Sequence, residues 1–121
     1  MNHSNDDLQI RLRVVRGADV VMGPGRADLL AQIQATGSIA AAGRQMKMSY
    51  KRAWALVESM NTTFARPVIE AAKGGAGGGG ARLTPAGQAV LDSYRALQAA
   101  TRAVGEAPLA ALRDALQVPP R

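Results

Sequence analysis

The sequence contains no cysteine and a single histidine among its 121 residues. Without cysteine the chain forms neither a disulfide nor a thiolate metal site, and nothing in it points to an oxidising compartment. The histidine, His3, lies in the polar opening stretch Met1 to Ile10. A Ser–His–Asp or Cys–His catalytic set would have to recruit that tail. Met1-Asn2-His3 has the donors to chelate Cu(II) or Ni(II), but a disordered tail is the simpler reading of such a stretch. The nine acidic residues are scattered, with no acid–base pair and no metal-ligand spacing. No cofactor and no metal are expected, and the chain is not expected to be an enzyme. No run approaches the roughly 18 consecutive apolar residues of a membrane span, and the opening residues lack the basic-then-apolar order of a signal peptide. The expectation is a cytoplasmic protein with no membrane partner.

What the chain has in excess is positive charge. Lys and Arg number 15 against nine acids, a formal net charge of +6. Between Ser38 and Gln88 the bases are Arg44, Lys47, Lys51, Arg52, Arg66, Lys73 and Arg82, opposed only by Glu58 and Glu70. An excess concentrated in this way favours a polyanionic partner, nucleic acid above all. The length suits one domain, large enough to bury roughly two-thirds of its unfolded surface.

Local patterns divide the chain into elements. Leu8 to Arg16, "LQIRLRVVR", alternates apolar and polar residues and reads as a half-buried strand. Arg16-Gly17-Ala18-Asp19 is turn-like, and Gly23-Pro24-Gly25 is a breaker and a plausible helix start. Leu29, Leu30 and Ile33 keep helical spacing within Asp28 to Thr36, and Gly37 stops that helix. Ser38 caps a short Ala-rich helix, "IAAAGRQM". Ser49 caps a longer one, "YKRAWALVESMNTTF", with Arg66-Pro67 ending it. In the longer helix Ala53, Val57, Met60 and Phe64 share one face, while Lys51, Arg52, Ala55, Glu58 and Ser59 share the other. "VIEAAK" and "ARLT" are short strand candidates on either side of a glycine run. Thr84-Pro85 opens a further helix, since Thr caps and Pro at the first helical position gives up no needed hydrogen bond. That helix is expected to run to about Val104, where Gly105 and Pro108 break it before a last short helix, "LAALRDALQV".

The glycine run, "KGGAGGGGARLT", holds a literal G-x-G-x-x-G at Gly75, Gly77 and Gly80. A phosphate cradle needs that motif to open a helix directly, and here Ala81 to Thr84 intervenes. No Lys-Ser or Lys-Thr follows, so it is not a P-loop. A hairpin tip fits better, with Lys73 and Arg82 at its shoulders. The preceding pair, a short capped helix, a tight turn and a second capped helix, has a helix-turn-helix layout. Ala41, Ala42 and Gly43 allow the two helices close contact. The second helix offers Ser49, Tyr50, Lys51 and Arg52 at its N-terminal end, the end such helices set against base edges in the major groove. Trp54 abuts the apolar face and reads as packing. An ordinary amphipathic helix with a solvated basic face remains the alternative.

"GRADLLAQIQATGSIAAAGRQMKMSYKRAWALVESMN", followed by "GGAGGGGARLTPAGQAVLDSY", resembles the N-terminal domain of the ModE family of molybdate-responsive transcriptional regulators. The "SYKRAW…MN" helix and the glycine run ahead of Leu-Thr-x-x-Gly carry the resemblance, which covers about Leu8 to Val104. "GSIAAAGRQMKMSYKRAW" is more loosely similar to LysR-type winged helices. The resemblance implies a mostly α fold with small β, a winged helix-turn-helix. Its recognition helix would be Tyr50 to Thr63, its wing Val68 to Thr84, and its ligand double-stranded DNA. It implies a homodimer formed through the long helix after the wing, aided by the N-terminal strand. The row Val90, Tyr94, Leu97, Thr101 and Val104 suits such pairing, and equally suits packing on the chain's own core. Arg44, Lys47, Lys73 and Arg82 would be mainly phosphate contacts. Full-length ModE proteins continue into molbindin domains that bind molybdate; this sequence contains none, so the resemblance does not extend molybdate binding to it. The expected organisation is a tail over 1–7, the DNA-binding and dimerisation domain over 8–118, and a tail over 119–121. The competing class is a dimeric protein-interaction module whose basic face meets an acidic partner.

Overall fold

The computed structural model describes residues 8–72 and 80–117. His3, Lys73 and the glycines Gly75 and Gly77 lie outside the described residues. The elements in chain order are β1 (Val14–Arg16), β2 (Asp19–Met22), α1 (Pro24–Thr36), α2 (Ile39–Gln45), α3 (Tyr50–Thr63), β3 (Ile69–Ala71), β4 (Ala81–Leu83) and α4 (Pro85–Ala115). The described chain is mostly helical, with two small antiparallel sheets, β1–β2 and β3–β4.

The N-terminal strand is shorter than its alternation suggests. Only Val14–Arg16 pairs, with β2, and the register shifts between Val14 and Val15. Strand pairing needs a partner, and β2 ends at Met22 because Gly23-Pro24 turns the chain into α1. Residues 8–13 keep part of their alternation as burial: Leu8 and Leu12 are half-buried and Gln9, Arg11 and Arg13 are exposed, but Ile10 is exposed as well. Gly17 has a φ of 61° at the first position of the two-residue turn joining β1 to β2, a conformation that favours glycine.

Helix α1 begins at Pro24, earlier than the apolar spacing from Asp28 indicates, and ends at Gly37 with a φ of 72°. It lies at the centre of the core. Ala27, Leu29, Leu30 and Ile33 are fully buried against Ile39 and Ala42 of α2, Ala53, Val57 and Met60 of α3, and Leu91 and Tyr94 of α4. The Gly37 carbonyl also accepts a hydrogen bond from the Ala81 N–H at 2.9 Å, which ties β4 to the end of α1. Arg95 of α4 pairs with Asp28 of α1 at 3.2 Å, both exposed, so the pair adds little stability.

Three elements meet at Val68. Its N–H donates to Asn61 Oδ1 of α3 at 2.7 Å, and its carbonyl accepts from the Thr84 N–H at 3.0 Å. Asn61 also receives the Ile69 N–H and donates through Nδ2 to the Ile69 carbonyl, each at 3.1 Å. Thr84 caps α4 by accepting the Gly87 N–H at 2.9 Å and donates to the Pro67 carbonyl at 2.6 Å. Gly87 lies directly over this joint. A Cβ there would fall on the Val68 carbonyl oxygen and within 2.9 Å of its carbon.

Helix α4 runs unbroken through Gly105 and Pro108 for 31 residues, a length of about 46 Å. The expected break at Gly105 and Pro108 is absent. Proline removes one helical hydrogen bond, but this stretch is exposed and water can serve the freed carbonyl. Gly105 makes room for Ile10, whose Cδ1 lies 3.0 Å from the place a Cβ would occupy.

Tyr94 is buried, with 3% of its surface exposed, and its hydroxyl donates to the Leu12 carbonyl at 2.6 Å. Burial pushes the phenol above its ordinary 10.0, with Asp28 adding to the rise and Arg95 and Arg11 opposing it. The fold therefore favours the neutral phenol, and that contribution is complete below about pH 10 and lost as pH rises through the raised value. Tyr94→Phe should flatten the alkaline loss of stability while removing about 1 kcal/mol at neutral pH, as read from urea unfolding across pH. The Val68 joint gives a second expectation. Gly87→Ala should destabilise by about 1–3 kcal/mol. Gly25→Ala, with no heavy atom within 4 Å of the added Cβ, should stabilise by about 0.4–1 kcal/mol.

Candidate nucleic-acid interface

The α2–α3 corner is built by local caps and one close approach. Ser38 Oγ accepts the Ala41 N–H at 3.0 Å, and Ser49 Oγ accepts the Arg52 N–H at 3.1 Å. Ala42 and Ala53 are fully buried, and a Cβ on Gly43 would lie 3.1 Å from that of Ala53. Small residues therefore set the separation of α2 and α3, as expected from Ala41, Ala42 and Gly43.

Helix α2 ends in a Schellman arrangement. The Met48 N–H donates to the Gly43 carbonyl at 3.0 Å and the Lys47 N–H to the Arg44 carbonyl at 3.1 Å. The left-handed residue this motif requires, usually glycine, is Lys47, with a φ of 57°. A side chain there is strained. The first turn of α3 breaks a second local rule. Helix N-termini favour acidic side chains, yet this turn has no acid and carries Lys51 and Arg52. Two unfavourable placements of cations thus flank one short turn.

Arg44, Lys47, Ser49, Tyr50, Lys51 and Arg52 are all exposed and follow one another around this corner. Tyr50 is 60% exposed and its ring meets Trp54 edge-on at 6.2 Å. Trp54 is half-buried against the core, and its Nε1 is buried without a hydrogen-bond partner. The end of α3 thus presents cations, a hydroxyl and a phenol around its free N–H groups, a set that binds phosphate oxygens and base edges.

Arg82 stands apart from this row, on β4, exposed and paired across the strands with Glu70 at 3.1 Å. The glycine run is flanked by the antiparallel pair Ile69–Ala71 and Ala81–Leu83, while Lys73 lies outside the described residues. Two positioning residues are invisible in the local pattern. Asn61 joins α3 to β3, and Arg26 of α1 donates through Nη2 to Ser59 Oγ of α3 at 3.1 Å, with its Nη1 buried and unpartnered. An Asn in the last turn of an amphipathic helix carries no signal of its own. Its role depends on a strand that returns to it.

The α4 row divides. Tyr94 belongs to the chain's own core, and Val90 packs against that core. Thr101 is half-buried and donates to the Leu97 carbonyl at 2.8 Å. Leu97 and Val104 are open, at 44% and 81% exposure. Beside them a groove of about 330 Å³ is lined by Val14, Val21, Phe64, Val90 and Leu97 among others. No helix among the described residues is long and apolar enough to cross a membrane.

Comparison with known proteins adds relatives of two names. The chain is 53% identical over 78 residues to the molybdenum-pterin-binding protein MopB of Rhodobacter capsulatus, covering 64% of this chain and 29% of that protein. It is 45% identical over 71 residues to the transcriptional regulator ModE of Yersinia pestis, covering 59% of this chain and 27% of that protein. It is 41% identical over 71 residues to the DNA-binding transcriptional dual regulator ModE of Escherichia coli K12, again 59% of this chain and 27% of that protein. The chain thus spans less than a third of the length of these relatives. No protein-family model matches.

The strained corner makes a prediction that separates stability from binding. Lys47→Gly should raise the unfolding free energy by about 1 kcal/mol, because glycine relieves the left-handed strain. Arg52→Glu should add a few tenths of a kcal/mol by matching the helix dipole. Thermal melts check both, and a loss of stability in either would mean that the cation serves the fold.

Proposed function

We propose that this chain is a winged helix-turn-helix that binds double-stranded DNA sequence-specifically, as a homodimer, in molybdate-related gene control. The observation that carries this reading is the α2–α3 corner. Cations occupy a left-handed position and a helix N-terminus where stability disfavours them. Such conflict between local preference and the residue present is expected at ligand-binding sites.

In this reading α3 is the recognition helix. Arg52, Lys51, Ser49 and Tyr50 meet the major groove, and Arg52 is the residue suited to bidentate pairing with guanine. Arg44 and Lys47 contact phosphate. The β3–β4 pair is the wing, with Lys73 and Arg82 as further phosphate contacts, Arg82 after release from Glu70. Residues 8–118 form one DNA-binding and dimerisation domain. The second copy packs on Leu97 and Val104, on the half-buried Val90 and Thr101, and on the groove beside them, while Tyr94 ties α4 to the N-terminal segment. Two-fold symmetry calls for an inverted repeat with half-sites about one helical turn apart. The relatives named as transcriptional regulators support this reading at the level of family resemblance. The 53% identity to MopB supports a second reading, in which the chain serves a protein that holds molybdenum-pterin. Stoichiometric retention of molybdate by the chain alone, in equilibrium dialysis, would favour that second reading.

Selection from a random duplex pool supplies the test site. Arg52→Ala should lose about 1–3 kcal/mol on the selected site and less on random duplex, whereas Arg82→Ala should weaken both alike. Binding should fall steeply with salt. Equal losses on selected and random DNA for Arg52→Ala would overturn the recognition role. Salt-independent binding would favour a protein-interaction module.

A further inference from the structure

A cleft of about 340 Å³ lies between the segment before β1 and the second half of α4. Two contacts hold the segment against α4. Tyr94 donates to the Leu12 carbonyl. Ile10 packs at Gly105, which has no Cβ to exclude it. The apolar walls are Leu8, Ile10, Leu12, Pro24 and Leu109. Arg11 and Arg102 also line the cleft, together with the neutral side chains of Gln9, Gln98 and Thr101, and no carboxylate among the described residues does.

Neighbouring Arg95 has its partners, Asp28 and Gln98. Arg11 and Arg102 have no hydrogen bond or ion pair among the described residues, and Glu106, one turn beyond Arg102, forms none with it. Two guanidinium groups with no partner among the described residues thus border one cleft whose lining is half apolar. None of its lining residues belongs to α2 or α3, so it is separate from the proposed DNA-binding corner.

We propose that this cleft binds a small amphipathic anion, a carboxylate or phosphate carried on an apolar body. The volume falls in the range of small-molecule sites. The apolar walls take the body, and the two arginines take the charged end through planar, charge-assisted hydrogen bonds. A bare oxyanion would leave the apolar walls unfilled. A neutral apolar molecule would desolvate the guanidinium groups without a partner.

The test uses phenyl phosphate and benzoate as probes, with inorganic phosphate and benzyl alcohol as controls, titrated into the full chain by calorimetry. At least one aromatic anion should bind about tenfold tighter than either control, and Arg102→Gln should weaken it about tenfold. The tighter of the two probes assigns the headgroup. Arg102 is exposed and has no partner among the described residues, so the variant should melt as the parent does; Arg11→Gln provides a second variant. Failure of both aromatic anions to bind would overturn the proposal. So would equal binding of anions and controls, or unchanged affinity in both variants. Loss in Arg52→Gln but not in Arg102→Gln would place the anion at the α3 end and likewise overturn it. No arm involves DNA, so the DNA-binding reading stands or falls separately.

Discussion

The backbone of Val68 is the joint on which the arrangement of α3, the β3–β4 pair and α4 depends. Its N–H is held by Asn61, its carbonyl by the Thr84 N–H, and its side chain is fully buried. Thr84 extends the same joint into α4 by capping it while holding the Pro67 carbonyl. The joint closes only because residue 87 is glycine, whose missing side chain lets helix and strand approach backbone to backbone. Buried backbone groups must be paired, so these polar atoms share one solution and fix three elements together. The candidate nucleic-acid interface inherits its orientation from this joint, since Asn61 is on the same helix as Lys51 and Arg52.

Where the joint satisfies every local preference, the α2–α3 corner sets preferences aside. A glycine at Lys47 and an acid in the first turn of α3 would suit the fold better. The caps at Ser38 and Ser49 and the packing of Gly43 on Ala53 hold the corner in shape despite this. None of these caps and contacts uses the side chains of Lys47, Lys51 or Arg52.

Helix α4 has three tasks along one length. Its first turns close the core through Gly87, Leu91 and Tyr94. Farther along, Leu97 and Val104 form an open apolar row, while Gln98, Arg102 and Leu109 border the cleft beneath the N-terminal segment. These faces differ because the helix outruns the core, and among the described residues its remaining turns border mainly residues 8–12 and Pro24. The second half of α4 is thus the part of the fold most open to further partners.

Much of this was legible residue by residue. The caps Ser38, Ser49 and Thr84, the stops at Gly37 and the apolar face of α3 are local facts, settled by a few neighbouring residues, and they appear in the structure where the pattern puts them. The concentration of positive charge in the middle of the chain is equally local. Other features were not readable. Strand β2 has too few residues for a period, and the N-terminal alternation continues past the point where a partner strand ends. Gly105 and Pro108 look like a break, yet the helix passes through them, because the stretch is exposed and water can serve the carbonyl that proline frees. The sequence by itself determined α2 and α3, the helix caps and the basic corner, because short-range hydrogen bonding and periodicity are enough for these. Only the tertiary structure decided that Asn61 and Gly87 clasp Val68, that Arg82 meets Glu70, and that Arg11 and Arg102 share a cleft. Each of those depends on groups distant in the chain being brought within a few ångströms by a common core.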